Sequence, residues 1–208
     1  MEAESISFDL YHPKPLLIVI SGPSGVGKDA VVRTLQRREA DLHFVVTATS
    51  RKIRKDEVNG VDYIFVSEKK FEQMIQSDEL LEYAVVYDQY KGIPKSQVRD
   101  ALQTGKDVIM RLDVQGAATI RKKCPEAVLI FLIPANQEEW IQRLLARQTE
   151  SPESMRVRVI TAREELTRIP EFDYVVVNAQ DCLDRAVDAI EAIIEAEHHR
   201  VVHRRISL

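Results

Sequence analysis

What the sequence has little of narrows its class before any motif is considered. There are two cysteines in 208 residues, Cys124 and Cys182, far apart in the chain. They cannot form a disulfide framework, and nothing around them has metal-type spacing, so they read as reduced intracellular thiols. No apolar run approaches the roughly 20 residues that a membrane-spanning helix needs. The first nine residues are acidic and carry neither a signal-peptide core nor an Arg-rich transit pattern. No charge of one sign dominates. The 29 basic and 33 acidic residues are well mixed, and the net charge of −4 makes no global case for nucleic acid or an anionic membrane. Internal repeats and low-complexity segments are also missing.

What is there is a chain long enough for one sizeable core, 45% of it hydrophobic. Residues 16–20 form a continuous β-rich run after an extended lead-in containing Pro13 and Pro15. Residues 44–46, 107–112, 128–133 and 174–177 are four more strand candidates. Near-continuous apolar strands, rather than alternating ones, point to a parallel sheet covered on both faces. Helices are expected between them. The first spans about 29–38. Another spans 94–104, with Val98 and Leu102 on one face and Gly105 as its stop. Asn136 with Glu139 resembles a capping box, and Ser151-Pro152 reads as a helix start. A long final helix is expected from Asp181, with Val187, Ile190, Ile193 and Ile194 on one face. Residues 47–91 interrupt the rhythm. They are polar and show one convincing helix, 68–76, and so read as an insertion into the α/β core.

Gly22-Pro23-Ser24-Gly25-Val26-Gly27-Lys28 follows the first strand and opens the first helix. It fits G-x-x-x-x-G-K in the context that gives that pattern meaning. Backbone N–H groups of such a turn face phosphate oxygens, and the lysine adds a positive charge. The next residue is Asp29, where a Ser or Thr hydroxyl usually meets Mg²⁺. A carboxylate suits a hard cation, directly or through water. It also suits a helix start, where negative charge is favoured. Further on, Arg51 and Arg54 lie three apart after a strand end, with Tyr63 beyond them. Arginine forks match phosphate geometry. By themselves these residues are equally compatible with a solvated charged loop.

The pattern Thr49-Ser50-Arg51, Arg54, Glu57, Gly60, Asp62-Tyr63, together with the Gly22 to Lys28 turn, resembles the guanylate kinase family. The likeness continues through Leu81-Glu82-Tyr83-Ala84, Gly92, Asp113-Val114-Gln115-Gly116-Ala117 and Tyr174 to Asn178, and covers about residues 15–197. It implies an α/β P-loop nucleoside monophosphate kinase fold, in which a parallel five-stranded sheet carries an inserted GMP-binding part and a lid. In that reading residues 1–208 are one domain. The core takes about 14–46, 94–140 and 168–208, the insertion about 47–93 and the lid about 141–167. The implied reaction is transfer of the ATP γ-phosphate to GMP, with Mg²⁺ accompanying ATP.

The resemblance also implies roles. Gly22 through Asp29 and Asn178 would bind ATP. Arg51, Arg54, Tyr63 and Lys91 would hold the GMP phosphate, and Glu57 would orient the arginines. Thr47 and Glu82 would face guanine. Glu82 would accept from N1–H and the exocyclic amine, groups that adenine does not offer. Asp113 would lie near base and metal, and Asp29 and Asp113 are the candidate Mg²⁺ ligands, directly or through water. Lys28, Arg143, Arg147 and Arg158 would neutralise charge on the transferring phosphoryl. Besides Asp29, further positions depart from the family pattern. Lys91 replaces a tyrosine, Ile93 replaces a Ser or Thr that touches guanine, and Arg111 replaces an acid. The lid also has Gln148 where the family has glycine.

Two competing readings come from the same residues. One is a ribose 1,5-bisphosphate phosphokinase-like sugar-phosphate kinase, which shares the Gly27-Lys28-Asp29 ending. The other is a non-catalytic guanylate-kinase-like module that binds protein. The expected partners are small molecules, with no nucleic acid or membrane, and the chain is expected to be a monomer or homodimer. The expected compartment is the cytoplasm; the alternative is a plastid or mitochondrion after removal of a transit peptide. Trp140 reads as a core or cap residue. His198, His199 and His203 read as a solvated helix end.

Overall fold

A computed structural model describes residues 12–39, 41–55, 57–86, 89–145 and 152–208. In chain order the elements are β1 Leu17–Ser21, α1 Lys28–Arg38, β2 His43–Phe44, β3 Ala48–Thr49, β4 Ile64–Phe65, α2 Glu68–Gln76, β5 Leu80–Val86 and β6 Gln89–Pro94. Then come α3 Lys95–Gln103, β7 Val108–Arg111, α4 Val114–Lys123, β8 Val128–Ile133, α5 Gln137–Leu145, α6 Pro152–Leu166, β9 Tyr174–Val177 and α7 Leu183–His198.

The five expected core strands form one sheet in the order β2-β7-β1-β8-β9, and every neighbouring pair is parallel. Parallel neighbours need crossovers, and helices supply them on both faces. On one face Ile18, Ile20 and Ile130 meet Val31 and Leu35 of α1 and Val187 and Ile190 of α7. On the other, Val19, Met110 and Leu129 meet Val98 of α3 and Ala117 and Ile120 of α4. All five residues of β1 are buried, which is why its sequence is apolar without alternation.

Boundaries shift by a residue or two where capping decides them. Asn136 Oδ1 accepts the Glu139 N–H at 2.9 Å, as the capping pattern predicts. Asp181 lies in a left-handed turn (φ 55°), so α7 starts at Leu183 rather than at Asp181. Ser151, the expected cap of α6, lies outside the described residues. The helix end at His198 is not simply solvated. His198 Nε2 pairs with Asp107 at 2.7 Å, and its side chain is mostly buried.

The segment expected to be an insertion with one helix also contains a second sheet, in the order β4-β3-β6-β5. β6 runs antiparallel to both β3 and β5. Its own small core is Ala48, Phe71, Met74 and Leu80, with the Phe71 and Tyr90 rings stacked 5.0 Å apart. Ile93 is fully buried in the main core beside Leu81 and Val98. The apolar side chain at this departure therefore serves packing.

Candidate active site

The glycine-rich turn leaves β1 and ends where α1 begins. Gly27 caps the helix in a left-handed conformation (φ 95°), which costs glycine nothing. Gly22 is required by proximity, because a Cβ there would overlap the Leu132 carbonyl. Lys28 Nζ turns back into its own loop, donating to the Gly22 carbonyl and to that of Pro23 at 3.1 Å. Burial pushes the Lys28 ammonium below its ordinary range, while Glu165, Asp29 and Asp113 pull it back.

The turn is braced from behind. Trp140 Nε1 donates to the Ser24 carbonyl at 2.8 Å, and Asn178 Nδ2 donates to the Val26 carbonyl at 2.8 Å. Arg143 Nη1 reaches the same Val26 carbonyl at 3.2 Å. From α6, Arg158 Nη1 donates to Ser24 Oγ at 2.6 Å. Arg143 and Asn178 thus meet the loop through one carbonyl. Arg147 lies outside the described residues.

The other half of the site is built by the second sheet. Arg51 and Glu57 form a two-pronged pair, Nη1 to Oε2 at 2.6 Å and Nη2 to Oε1. The Arg54 N–H adds a bond to Glu57 Oε2 at 2.9 Å. The Arg51 hydrogen bond, helped by Arg54, holds the Glu57 carboxyl down at about 2. The Arg51 guanidinium stacks 4.9 Å from the Tyr63 ring centre and 5.3 Å from that of Phe65. Lys91 Nζ lies 5.9 Å from the centre of the same Tyr63 ring.

Glu82 sits on β5 with 5% of its surface exposed. Burial, seconded by the negative charge of Asp113 and opposed by Lys123, raises its carboxyl to about 7. Gly116 makes the room for it, since a Cβ there would come within 3.1 Å of Glu82 Cδ. Asp113 caps α4 by accepting the Gly116 N–H at 2.8 Å.

The two halves open on one cleft of about 310 Å³, lined by Lys28, Asp29, Thr47, Tyr63, Glu82, Lys91, Arg111 and Asp113 among others. A second cavity, about 450 Å³, holds Arg51, Arg54 and Glu57 and shares Asp29, Thr47, Tyr63 and Arg111 with the first. On the lid side a third, about 550 Å³, joins Ser24, Lys28 and Asp113 to Arg158, Glu165 and Arg168.

Among the described residues no group of three or more His, Cys, Asp or Glu is arranged to hold a metal ion. Mg²⁺ bound through one or two carboxylates, its own waters and substrate phosphates needs no such cage. Asp29 and Asp113, both on the cleft beside Lys28, fit that mode.

Residues 14–197 match the family model described as guanylate kinase. The chain belongs to the guanylate kinase family. It is 51% identical over 197 residues to a guanylate kinase 2, chloroplastic/mitochondrial, from Oryza sativa subsp. japonica, covering 94% of this chain and 69% of that one. It is 47% identical over 186 residues to a guanylate kinase from Caldanaerobacter subterraneus subsp. tengcongensis, covering 89% of each. The crystal structure of guanylate kinase from Anaplasma phagocytophilum superposes with a TM-score of 0.73 at 25% identity, covering 93% of this chain and 91% of that one. The P-loop kinase fold expected from the resemblance is the fold found. Within this guanylate kinase frame, four residues of the cleft and its walls were not picked as site residues from sequence. Gly116 and Lys123 sit against Glu82 and its strand, and Glu165 faces Lys28 from α6. Arg111 appeared only as a departure from pattern, yet it borders both the cleft and the arginine cavity.

Proposed function

We propose that this chain transfers the γ-phosphate of ATP to GMP, giving ADP and GDP, in the cleft between the Gly22–Lys28 turn and Glu82. One observation carries the reading: a glycine-rich turn with a half-buried lysine and a buried carboxylate, Glu82, open on the same cleft. A sugar phosphate would give Glu82 no paired N–H donors to receive. A silent binding module would have no use for Lys28. The family relatives, guanylate kinases over most of their length, support the same choice.

Phosphoryl transfer needs alignment and charge neutralisation more than covalent help from the protein. The backbone of the turn cradles the ATP phosphates, and Lys28 leaves its own carbonyls for their oxygens. Arg51, Arg54, Tyr63 and Lys91 hold the GMP phosphate, with Glu57 fixing the Arg51 fork. Glu82 accepts from guanine N1–H and the amine, and Thr47 borders the base. An oxygen of the GMP phosphate then attacks the γ-phosphorus in line with the departing ADP. Arg158 already touches the turn through Ser24, and Arg143 reaches it through Val26. With Arg147 they add positive charge around the transferring group and help exclude water. Asn178 steadies the turn next to the adenosine side. Asp29 and Asp113 would hold Mg²⁺, directly or through its waters, and the ion when bound neutralises phosphate charge.

We further infer that the parts of the fold divide as the sequence suggested, with an acceptor-binding insertion at about 47–93 and a lid at about 141–167. The protein acts on small molecules as a monomer or homodimer, in the cytoplasm or in an organelle of the kind named for its rice relative. The test is ADP release coupled to NADH oxidation, with GMP, AMP and ribose 1,5-bisphosphate as acceptors. GMP-dependent turnover that Lys28→Met lowers by several orders of magnitude is expected. No turnover with GMP, or equal turnover with AMP, refutes the reading.

A further inference from the structure

We propose that Arg111 is a phosphate-binding residue of the acceptor site, held in place by Asp29. Arg111 ends β7, paired in register with Ile20 of β1, so its Cα stands beside the strand that feeds the phosphate turn. Its Nη1 donates to Asp29 Oδ1, one residue beyond Lys28. Its Nη2 lies 3.4 Å from the Tyr63 hydroxyl. The guanidinium therefore spans from the donor loop to a residue of the acceptor side, and it lines both the central cleft and the arginine cavity.

The pair is a poor candidate for fold stabilisation. The side chains are 31% and 57% exposed, and exposed ion pairs contribute little. It is a good candidate for placing charge. Without Asp29, a guanidinium here would lower the Lys28 ammonium further, and Asp29 offsets it. Arginine carries five donors in a fixed fork, and Asp29 and Tyr63 take one N–H on each terminal nitrogen, which leaves three for a ligand. A nucleoside monophosphate seated against the Tyr63 hydroxyl brings its dianionic phosphate within the reach of the remaining donors. Arg51, by contrast, already has both prongs on Glu57. Arg111 thus adds a second guanidinium at Tyr63 beside that of Arg51, and the carboxylate at position 29 aims it. This rests on the acceptor site proposed above.

The experiment is calorimetric titration of GMP, and separately of guanosine, without ATP, into the wild type, Arg111→Gln, Arg111→Lys, Asp29→Asn and the double variant Arg111→Gln/Asp29→Asn. Losing one charge-assisted contact should weaken GMP by about ten- to a hundredfold in Arg111→Gln. Guanosine binding should be unchanged. Lysine should restore part of the loss, because charge survives and the fork does not. Asp29→Asn should weaken GMP less, and the double variant should be no worse than Arg111→Gln alone. Melting temperatures should stay level across the set. Unchanged GMP affinity in Arg111→Gln overturns the proposal, as does an equal loss for GMP and guanosine. So does an Asp29→Asn variant that binds GMP as tightly as the wild type, which would leave Asp29 with its Mg²⁺ role alone and without one in aiming Arg111. Each of these outcomes leaves GMP kinase activity of the wild type intact, so failure here is distinct from failure of the proposed function.

Discussion

Glu82 gives GMP binding a pH signature. Its carboxyl is raised to about 7, first by burial and then by Asp113. Only the ionised form can accept from both guanine donors. The ionised share in the ligand-free enzyme therefore rises from about one in ten at pH 6 to about nine in ten at pH 8. The apparent affinity for GMP gains about tenfold over that interval from Glu82 alone. The GMP phosphate itself titrates near pH 6, so the raw profile mixes two groups. Glu82→Gln removes only one of them. The GMP KM of the variant divided by that of the wild type should grow about tenfold between pH 6 and pH 8. A flat ratio refutes the account, as does a glutamine variant that keeps its full preference for GMP over AMP.

The same carboxyl gives a stability test with a definite sign. In the unfolded chain it ionises near 4.5, and in the fold near 7. Between those values the folded state holds the extra proton, so this group makes stability fall as pH rises through that window. Glutamine has no such slope. The melting temperature of Glu82→Gln should match the wild type at pH 4 and exceed it at pH 8.

Three further outcomes follow from named contacts. Gly116→Ala puts a methyl 3.1 Å from Glu82 Cδ and Oε1; steady-state kinetics should show GMP KM raised roughly tenfold with ATP KM unmoved and the circular dichroism spectrum retained. Glu57→Gln loosens the Arg51 fork, and GMP KM should rise about tenfold while the Lys28 side of the site, read as ATP KM, stays the same. Trp140→Phe keeps an aromatic ring but loses the N–H to the Ser24 carbonyl and part of the buried indole; with about 1 kcal/mol for the hydrogen bond and the packing loss added to it, calorimetry should show a melting drop of at least about 2–4 °C.

Much of the core was legible in the chain because burial on both faces leaves nothing to alternate. The apolar runs at 16–20, 107–112 and 128–133 mark the three central strands to within a residue or so, and 174–177 marks the edge strand β9, which is apolar although Val175 and Val177 are exposed. The second sheet was not legible. β3 and β4 are two residues long, too short to show a period. β5 and β6 pair as a hairpin with Glu82 and Lys91 turned to a cleft, so function replaces the apolar pattern there. Helix α4 was missed although Asp113 caps it and Val114, Ala117 and Ile120 recur on one buried face. That signal was present in the residues.

From sequence alone one can determine the donor half, because a turn of seven consecutive residues between a strand and a helix carries its own geometry. Residue types alone left Arg51 and Arg54 open between a phosphate site and a solvated loop, and it was the resemblance to guanylate kinases that implied phosphate forks there and a guanine-facing acid at Glu82. Only the tertiary structure decided how these meet. Glu82 has its shifted carboxyl because α4 brings Gly116 and Asp113 against β5. Arg111, a mere departure from pattern along the chain, becomes the link between Asp29 and Tyr63, 82 and 48 residues away. Such partners are set by strand order and register, and no local stretch of sequence encodes the register of a parallel sheet.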